Sequence, residues 1–98
     1  MRPVMLDDIS AAARVLLALP EPRRAMAMRA LIARAEAADR SRHTGGVAGQ
    51  GNGSLMSAAL TLPQAAPATP GAPDYLACLA LAIEEILAHL APGRRTEH

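Results

Sequence analysis

The sequence is short of the residue types on which large cores and several kinds of chemistry depend. One residue is tyrosine and none is phenylalanine or tryptophan, so a core has to be built from leucine, isoleucine, methionine and alanine. Lysine is absent, which excludes a phosphate-binding P-loop and Schiff-base catalysis, because both need a lysine amine. A chain of 98 residues is therefore expected to form one small domain with a thin core.

Further absences bear on cofactors and location. Cysteine occurs once, as Cys78, so no internal disulfide can form, and no Cys or His pair has zinc-site spacing. We expect neither a metal nor another cofactor. Asp7 and Asp8 interrupt the apolar stretch that an export signal would need. Residues 44–73 carry no charge, but Gly and Pro break them well short of the about 20 apolar residues of a membrane span. These features predict a cytoplasmic protein without membrane contact.

Hydrophobic spacing predicts a helical hairpin at the N-terminal end. The first helix is expected over residues 7–19, with Asp7 as its N-cap and Pro20 after its end. Its buried face should contain Ile9, Ala12, Ala13, Leu16 and Leu19, with Ala11 on the opposite side. The stiff turn 20–22 leads into a second helix, 22–42, for which Pro22 is a suitable first residue.

The second helix has three distinct surfaces. Its inward stripe is expected to contain Met28, Leu31, Ile32 and Ala35. Its far side is small and apolar, with Met26, Ala30, Ala33 and Ala37. Alanine is the best helix former and decorates many exposed faces, so this side is interpreted either as ordinary surface or as a second packing surface. The arginines Arg23, Arg29, Arg34 and Arg40 lie along the two flanks.

The second half of the chain is predicted to form a loop, a short helix, a linker and a long helix. Residues 43–53 hold five of the seven glycines, which predicts a glycine-rich loop. Ser54 can cap a short helix over residues 54–62, and a Pro/Ala-rich linker follows at 63–73. The last helix, 74–91, shows the clearest periodicity of the sequence, and its predicted buried stripe is Leu76, Leu79, Ala80, Ile83, Ile86, Leu87 and Leu90. Its outer side would then carry Cys78, Leu81 and Ala82.

No pattern in the sequence points to catalysis. Residues 49–54 run from glycines into a helix start, as phosphate loops do, but no strand precedes them. Cys78 and His89 share a helix face, yet eleven residues separate them by about 16 Å along the axis, so they cannot form a thiolate and base pair. We expect no catalytic residue and no enzyme activity.

A nucleic-acid contact is the alternative to a protein contact. The short turn and the arginines of the second helix are typical of a helix-turn-helix unit. The net charge is only +1, however, and the chain lacks aromatic residues on which bases could stack. This alternative depends on Arg23, Arg29, Arg34 and Arg40.

Three stretches resemble those of a family of small uncharacterised alphaproteobacterial proteins. They are MRPVMLDDI at 1–9, GNGSLMSAA at 51–59 and DYLACLA at 74–80. Relatives have an aromatic residue and more basic character where this chain has Gly49 and Gln50. The resemblance implies a small, helical, cytoplasmic bacterial protein and implies no activity. It also suggests that the Gly-x-Gly-Ser-Leu-Met segment folds over the bundle and inserts Leu55 and Met56.

The sequence thus predicts an all-α bundle of three main helices and one short helix. Such a small domain, without disulfide or metal, often depends on association for stability. We therefore predict an adaptor or regulatory protein acting through protein contacts, either as a homo-oligomer or on a protein partner. The expected contact surface contains Met26, Ala30, Ala37, Cys78, Leu81 and Ala82.

Overall fold

The computed structural model describes residues 1–43 and 53–91. In these residues it contains four helices and no strand: α1 (Leu6–Leu17), α2 (Glu21–His43), α3 (Leu55–Ala59) and α4 (Pro73–Leu90). The predicted all-α bundle of three main helices and one short helix is confirmed. The helix bounds differ from the predicted ones by one or two residues, except that α3 ends three residues early. The predicted glycine-rich loop lies, apart from its two end residues, outside the described residues.

Helix α1 is the centre of the bundle and packs against the other three helices. Its alanine run Ala11, Ala12 and Ala13 has no exposed surface at all, because different helices cover different sides of it. The prediction that Ala11 lies on an outer face was therefore wrong. A two-sided helix pattern describes a helix at the edge of a bundle, whereas a central helix is buried nearly all round.

Helices α1 and α2 form the predicted hairpin. Arg24 of α2 reaches back so that its Nε donates to the carbonyl oxygens of Leu16 and Leu19, at 2.9 and 3.0 Å. The Leu16 carbonyl lies in the last turn of α1 and also accepts the N–H of Leu19, whereas the Leu19 carbonyl lies just beyond the helix. The predicted inward stripe of α2 is confirmed, since its members are at most 4% exposed: Met28, Leu31, Ile32 and Ala35.

Asp8 joins the starts of α1 and α3. Its carboxylate is buried and accepts the N–H of Met5 at 2.7 Å and that of Met56 at 2.8 Å. Asp7 had been predicted as the N-cap, but α1 begins at Leu6 after Met5, and Asp8 provides the capping contact. A carboxylate in the first turn is also favoured by the helix dipole.

The Gly-x-Gly-Ser-Leu-Met segment folds onto the bundle as the resemblance suggested. Ser54 Oγ accepts the N–H of Ser57 and caps α3 as predicted. Leu55 is 1% exposed, whereas Met56 is half-buried against the core. The insertion is therefore confirmed in full for Leu55 and in part for Met56.

Gly53 allows this segment to approach α2 closely. Its φ is +84°, and a Cβ there would lie 2.8 Å from Cβ of Asp39. A side chain at this position would be strained in backbone and in contact distance. The Gly53 carbonyl also accepts the N–H of Arg2 at 2.9 Å, so the N-terminal stretch, α2 and the start of α3 meet at this point.

The linker between α3 and α4 is held against α1. The N–H of Ala65 donates to the Arg14 carbonyl at 3.0 Å, and Arg14 Nε donates to Gln64 Oε1 at 3.2 Å. These bonds attach the chain to α1 before it turns into α4 at Pro73. Helix α4 then runs antiparallel to α1, because Tyr75 contacts α1 and His89 lies near the start of the chain through Glu36.

Candidate interaction surface

Helix α4 packs on the bundle with a different face from the predicted one. Its buried residues are Tyr75, Cys78, Ala82 and Ile86. Of the predicted stripe, Ile86 is buried and Leu79 is half-buried, but the other five members are exposed: Leu76, Ala80, Ile83, Leu87 and Leu90. The predicted buried stripe of this helix was therefore wrong, and a long apolar surface faces outward.

We call these five exposed residues the α4 stripe. Successive members are four, three, four and three residues apart, which is the heptad spacing that coiled coils present to a partner helix. The four large side chains are 50%, 42%, 61% and 58% exposed, in chain order. At 1.5 Å per residue the stripe is about 21 Å long. It is a continuous apolar row along the helix, and the described residues leave about half of each large side chain exposed.

Polar residues along one edge of α4 account for this orientation. Tyr75 is buried and shares a 2.9 Å hydrogen bond with Ser10 of α1. Further along, Glu85 receives two hydrogen bonds from Arg29 of α2, at 3.0 and 3.2 Å. His89 lies 2.5 Å from Glu36 of α2. These partners are satisfied only when α4 turns this edge toward the bundle, which leaves the stripe outside.

Small residues make the same orientation possible by packing. Cys78 is 1% exposed and Ala82 is not exposed, and α4 lies against α1, whose alanines 11–13 are fully buried. Short side chains on both helices let the two backbones approach closely, as interaxial distance depends on the side chains at the contact. A leucine face would hold the helices further apart.

Hydrogen bonds from charged or titratable groups join α4 to α2 at two positions, Glu85 and His89. Hydrogen bonds from the Met1 α-amino group and from His89 hold the pKa of the Glu36 carboxyl below its usual range. The Met1 α-amino group also lies 3.2 Å from Asp39. The hydrogen bond to Glu85 raises the pKa of Arg29. These ion pairs stabilise the contact between α2 and α4 and leave the α4 stripe unaffected.

The structure separates the residues predicted to form the contact surface. Cys78 and Ala82 lie in the core, and Leu81 is half-buried against it, so the predicted outer side of α4 is in fact its inner side. On this side of the helix Tyr75 is bonded to α1 and Glu85 and His89 are bonded to α2, so it faces the bundle. Met26, which is 73% exposed, and the alanines 30 and 37 lie on the outer side of α2 as predicted.

The four arginines on which a nucleic-acid contact would depend differ from one another in their surroundings. Arg23 and Arg34 are exposed on one flank of α2, whereas Arg29 is bound to Glu85 on the other flank. Arg40 is exposed and takes part in a further contact. The set is not a continuous basic patch, since one member already neutralises an acid of α4.

An open cavity of about 470 Å³ lies between the N-terminal stretch and the starts of α1 and α3. The residues around it include Arg2, Asp7, Asp8 and Ser54. Both Asp8 oxygens are occupied by backbone N–H groups, so this carboxylate serves the fold. The cavity does not bring a nucleophile and a base together.

Other chemical features of the described residues are also structural. Burial raises the pKa of the Cys78 thiol, which keeps it in its less reactive protonated form. Within residues 1–43 and 53–91, no cluster of three or more His, Cys, Asp or Glu residues could hold a metal ion. None of the helices in this part of the chain is long and apolar enough to span a membrane.

Comparisons with known proteins gave one finding. The model of a domain of unknown function, DUF7742, matches residues 2–86. Searches of curated proteins and of solved structures gave no match. The matched range contains the three stretches of the resemblance except Met1. The Arg2–Gly53 and Asp8–Met56 hydrogen bonds join the first two stretches, and Ser10, which directly follows the first, is bonded to Tyr75 of the third.

Proposed function

The chain belongs to this family of unknown function, and we propose that it is a non-enzymatic adaptor or regulatory protein that binds another α-helix through the α4 stripe. The observation that carries the proposal is the outward position of Leu76, Ile83, Leu87 and Leu90 at heptad spacing. Single exposed apolar residues are ordinary, but contiguous apolar surface on a small protein marks a contact site.

The shape of the stripe indicates the kind of partner. A straight row of leucine and isoleucine side chains over two heptads fits a second amphipathic helix, because knobs from one helix enter the holes of the other. Ala80 interrupts the row of large side chains near its middle. This gap can receive a large side chain from the partner, which gives the contact a register.

The absence of enzyme activity is part of the proposal. Its support is that the polar groups of the fold are engaged in structural contacts: Asp8 caps two helices, Glu36 pairs with His89, and Cys78 is buried. A catalytic group must reach a reacting atom in a substrate, and these groups face protein. We also propose a cytoplasmic location.

The test compares a stripe variant with a matched variant on another exposed surface. Tagged protein, Leu87→Glu and Met26→Glu are used to recover bound protein from nuclease-treated native lysate at moderate salt. Leu87 and Met26 are both strongly exposed, so both variants should fold. We expect one stoichiometric protein, the chain itself or another, to bind wild type and Met26→Glu and to be lost with Leu87→Glu. Equal recovery by all three would contradict the proposal.

A nucleic-acid-associated role is the second candidate, and the exposure of Arg23 and Arg34 on one flank of α2 favours it. Contacts with phosphates weaken steeply as salt rises, whereas an apolar helix contact does not. Binding of a labelled duplex is therefore measured from 50 to 200 mM salt for wild type and for Arg23→Gln/Arg34→Gln. Affinity that falls with salt and with the double substitution would support this role, and no binding at the lowest salt would exclude it.

A further inference from the structure

We infer that the helix bound by the α4 stripe is α4 of a second copy of this chain, lying antiparallel with a two-fold axis beside Ile83. This inference rests on the proposed function and deepens it by naming the partner. In a two-fold contact the same surface is used by both copies, so the surface has to be complementary to itself. The order of residues along the stripe meets this requirement.

The stripe is complementary to itself about Ile83. Leu76 and Leu90 lie seven residues before and after it, and so face each other across the axis. Ala80 lies three residues before it and Leu87 four residues after it, which is one residue, or about 1.5 Å, from exact register. The small side chain of one copy therefore lies beside the large one of the other. A parallel pair would set Ala80 against Ala80 and leave a gap, which costs packing.

The size of the surface predicts the strength of the dimer. A stable interface buries about 800 Å² on each partner, and a stripe two heptads long supplies only part of that area. We therefore expect a dissociation constant in the micromolar range and a protein that is monomeric when dilute.

Glu84 gives the antiparallel dimer a recognisable salt dependence. It is exposed and follows Ile83 directly, so a two-fold axis at Ile83 brings the Glu84 residues of both copies to the same side of the interface. Like charges at short distance repel each other, and salt screens the repulsion over about 10 Å at 0.1 M. Added salt and Glu84→Gln should each tighten the dimer, which is opposite to the salt effect on nucleic-acid binding.

Sedimentation equilibrium over a concentration series tests the dimer in the full chain. Wild type should shift from monomer to dimer between low and high micromolar concentration, Met26→Glu should match it, and Leu87→Glu should stay monomeric with an unchanged circular dichroism spectrum. Wild type that is monomeric throughout, or a dimer that survives Leu87→Glu, would overturn the inference.

Disulfide trapping tests the orientation. In a Cys78→Ala background, Ile83→Cys should form cross-linked dimers with itself, because the axis brings both copies of position 83 within the about 7 Å between Cα atoms that a disulfide needs. Leu90→Cys should not cross-link with itself but should do so with Leu76→Cys when the two are mixed. Self-linking of Leu90→Cys would indicate a parallel pair and overturn the antiparallel arrangement.

The two proposals fail in different ways. A monomeric wild type that still recovers another protein through Leu87 overturns the second copy as partner and leaves the proposed function standing. A monomeric wild type from which Leu87→Glu removes no binding overturns both. Dimerisation that requires Leu87 and traps at Ile83 supports both.

Discussion

The two faces of α4 depart from the usual arrangement, in which the large apolar side chains of a helix face the core and the smaller or polar ones face outward. The inward face has the small Cys78 and Ala82, the partly polar Tyr75 and one large apolar residue, Ile86, with Leu79 and Leu81 half-buried beside them. The outward face carries three leucines and an isoleucine. Burial of a leucine-sized side chain contributes about 1.5 to 3 kcal/mol, so apolar area alone would have turned the helix round. The comparison shows that apolar area did not decide the orientation.

Two other contributions decide it. The inward edge satisfies the buried Tyr75, and a buried polar group without a partner costs about 1 to 3 kcal/mol. Glu85 and His89 lie at the rim of the contact, where such bonds contribute little to stability. The small inward residues Cys78 and Ala82 are also buried, and α4 packs on α1, whose alanine run is buried as well. Contact with a second helix requires apolar side chains outside the bundle, and the outward face of α4 provides them.

The largest expected effect comes from placing the same charge on the two faces. Ala82→Glu puts a carboxylate where the wild-type side chain has no exposure, and an uncompensated buried charge costs about 3 to 5 kcal/mol. Ala80→Glu, two residues earlier and exposed, should change the free energy of unfolding by less than about 0.5 kcal/mol. Urea denaturation of both variants at low micromolar concentration measures the difference. Equal stabilities would show that the two faces are not as the structure has them.

A smaller effect is expected from trimming neighbouring residues. Ile86→Ala leaves a cavity in the core and should destabilise by about 2 to 4 kcal/mol. Leu87→Ala removes a side chain that is 61% exposed, and should cost under about 0.5 kcal/mol in the monomer. At high protein concentration the Leu87→Ala loss should grow, because the dimer contact is then populated. Thermal unfolding at two concentrations checks this, and a concentration-independent loss would count against the dimer.

The smallest effect concerns the ion pair that orients α4. The pKa of Glu36 is lowered from a usual value of 4.5, so its contribution to stability is present above that pH and is lost as the pH falls through the folded-state pKa. Wild type should therefore exceed Glu36→Gln in stability at pH 7, and the difference should shrink as the pH falls below 4.5 and through the lowered pKa of Glu36. Denaturation curves at several pH values test this, and a pH-independent difference would refute it.

Much of the fold could be predicted from the sequence because local signals determine it. Pro20 and Pro22 set the hairpin, Ser54 caps α3, and the inward stripe of α2 follows helical periodicity. The burial of Ala11 could not be predicted, because it depends on α3 and α4 covering α1 from different sides. Asp8 was expected near a helix start, but its bond to Met56 joins residues far apart in the chain.

The exposed face of α4 was predicted wrongly, since Cys78 and Ala82 are buried and the apolar stripe lies outside. The spacing of Leu76, Ile83 and Leu87 gave a strong signal, but periodicity identifies a stripe without saying whether the same chain or another covers it. The signal that could have separated the two is the polar edge formed by Glu85 and His89, which have partners available in Arg29 and Glu36 of α2. Cross-helix pairing of this kind is visible only once the bundle is assembled.

The central place of α1 has a consequence for synthesis on the ribosome. Helix α1 emerges first, yet its contacts with Met56, Gln64 and Tyr75 join residues 48 to 65 positions apart. Until α3 and α4 have left the exit tunnel, the alanine run of α1 has only α2 to pack against. Domains fold during translation as their partners become available, so α1 is expected to be covered in two further steps, first by α3 and then by α4, and to remain partly exposed until α4 has been made.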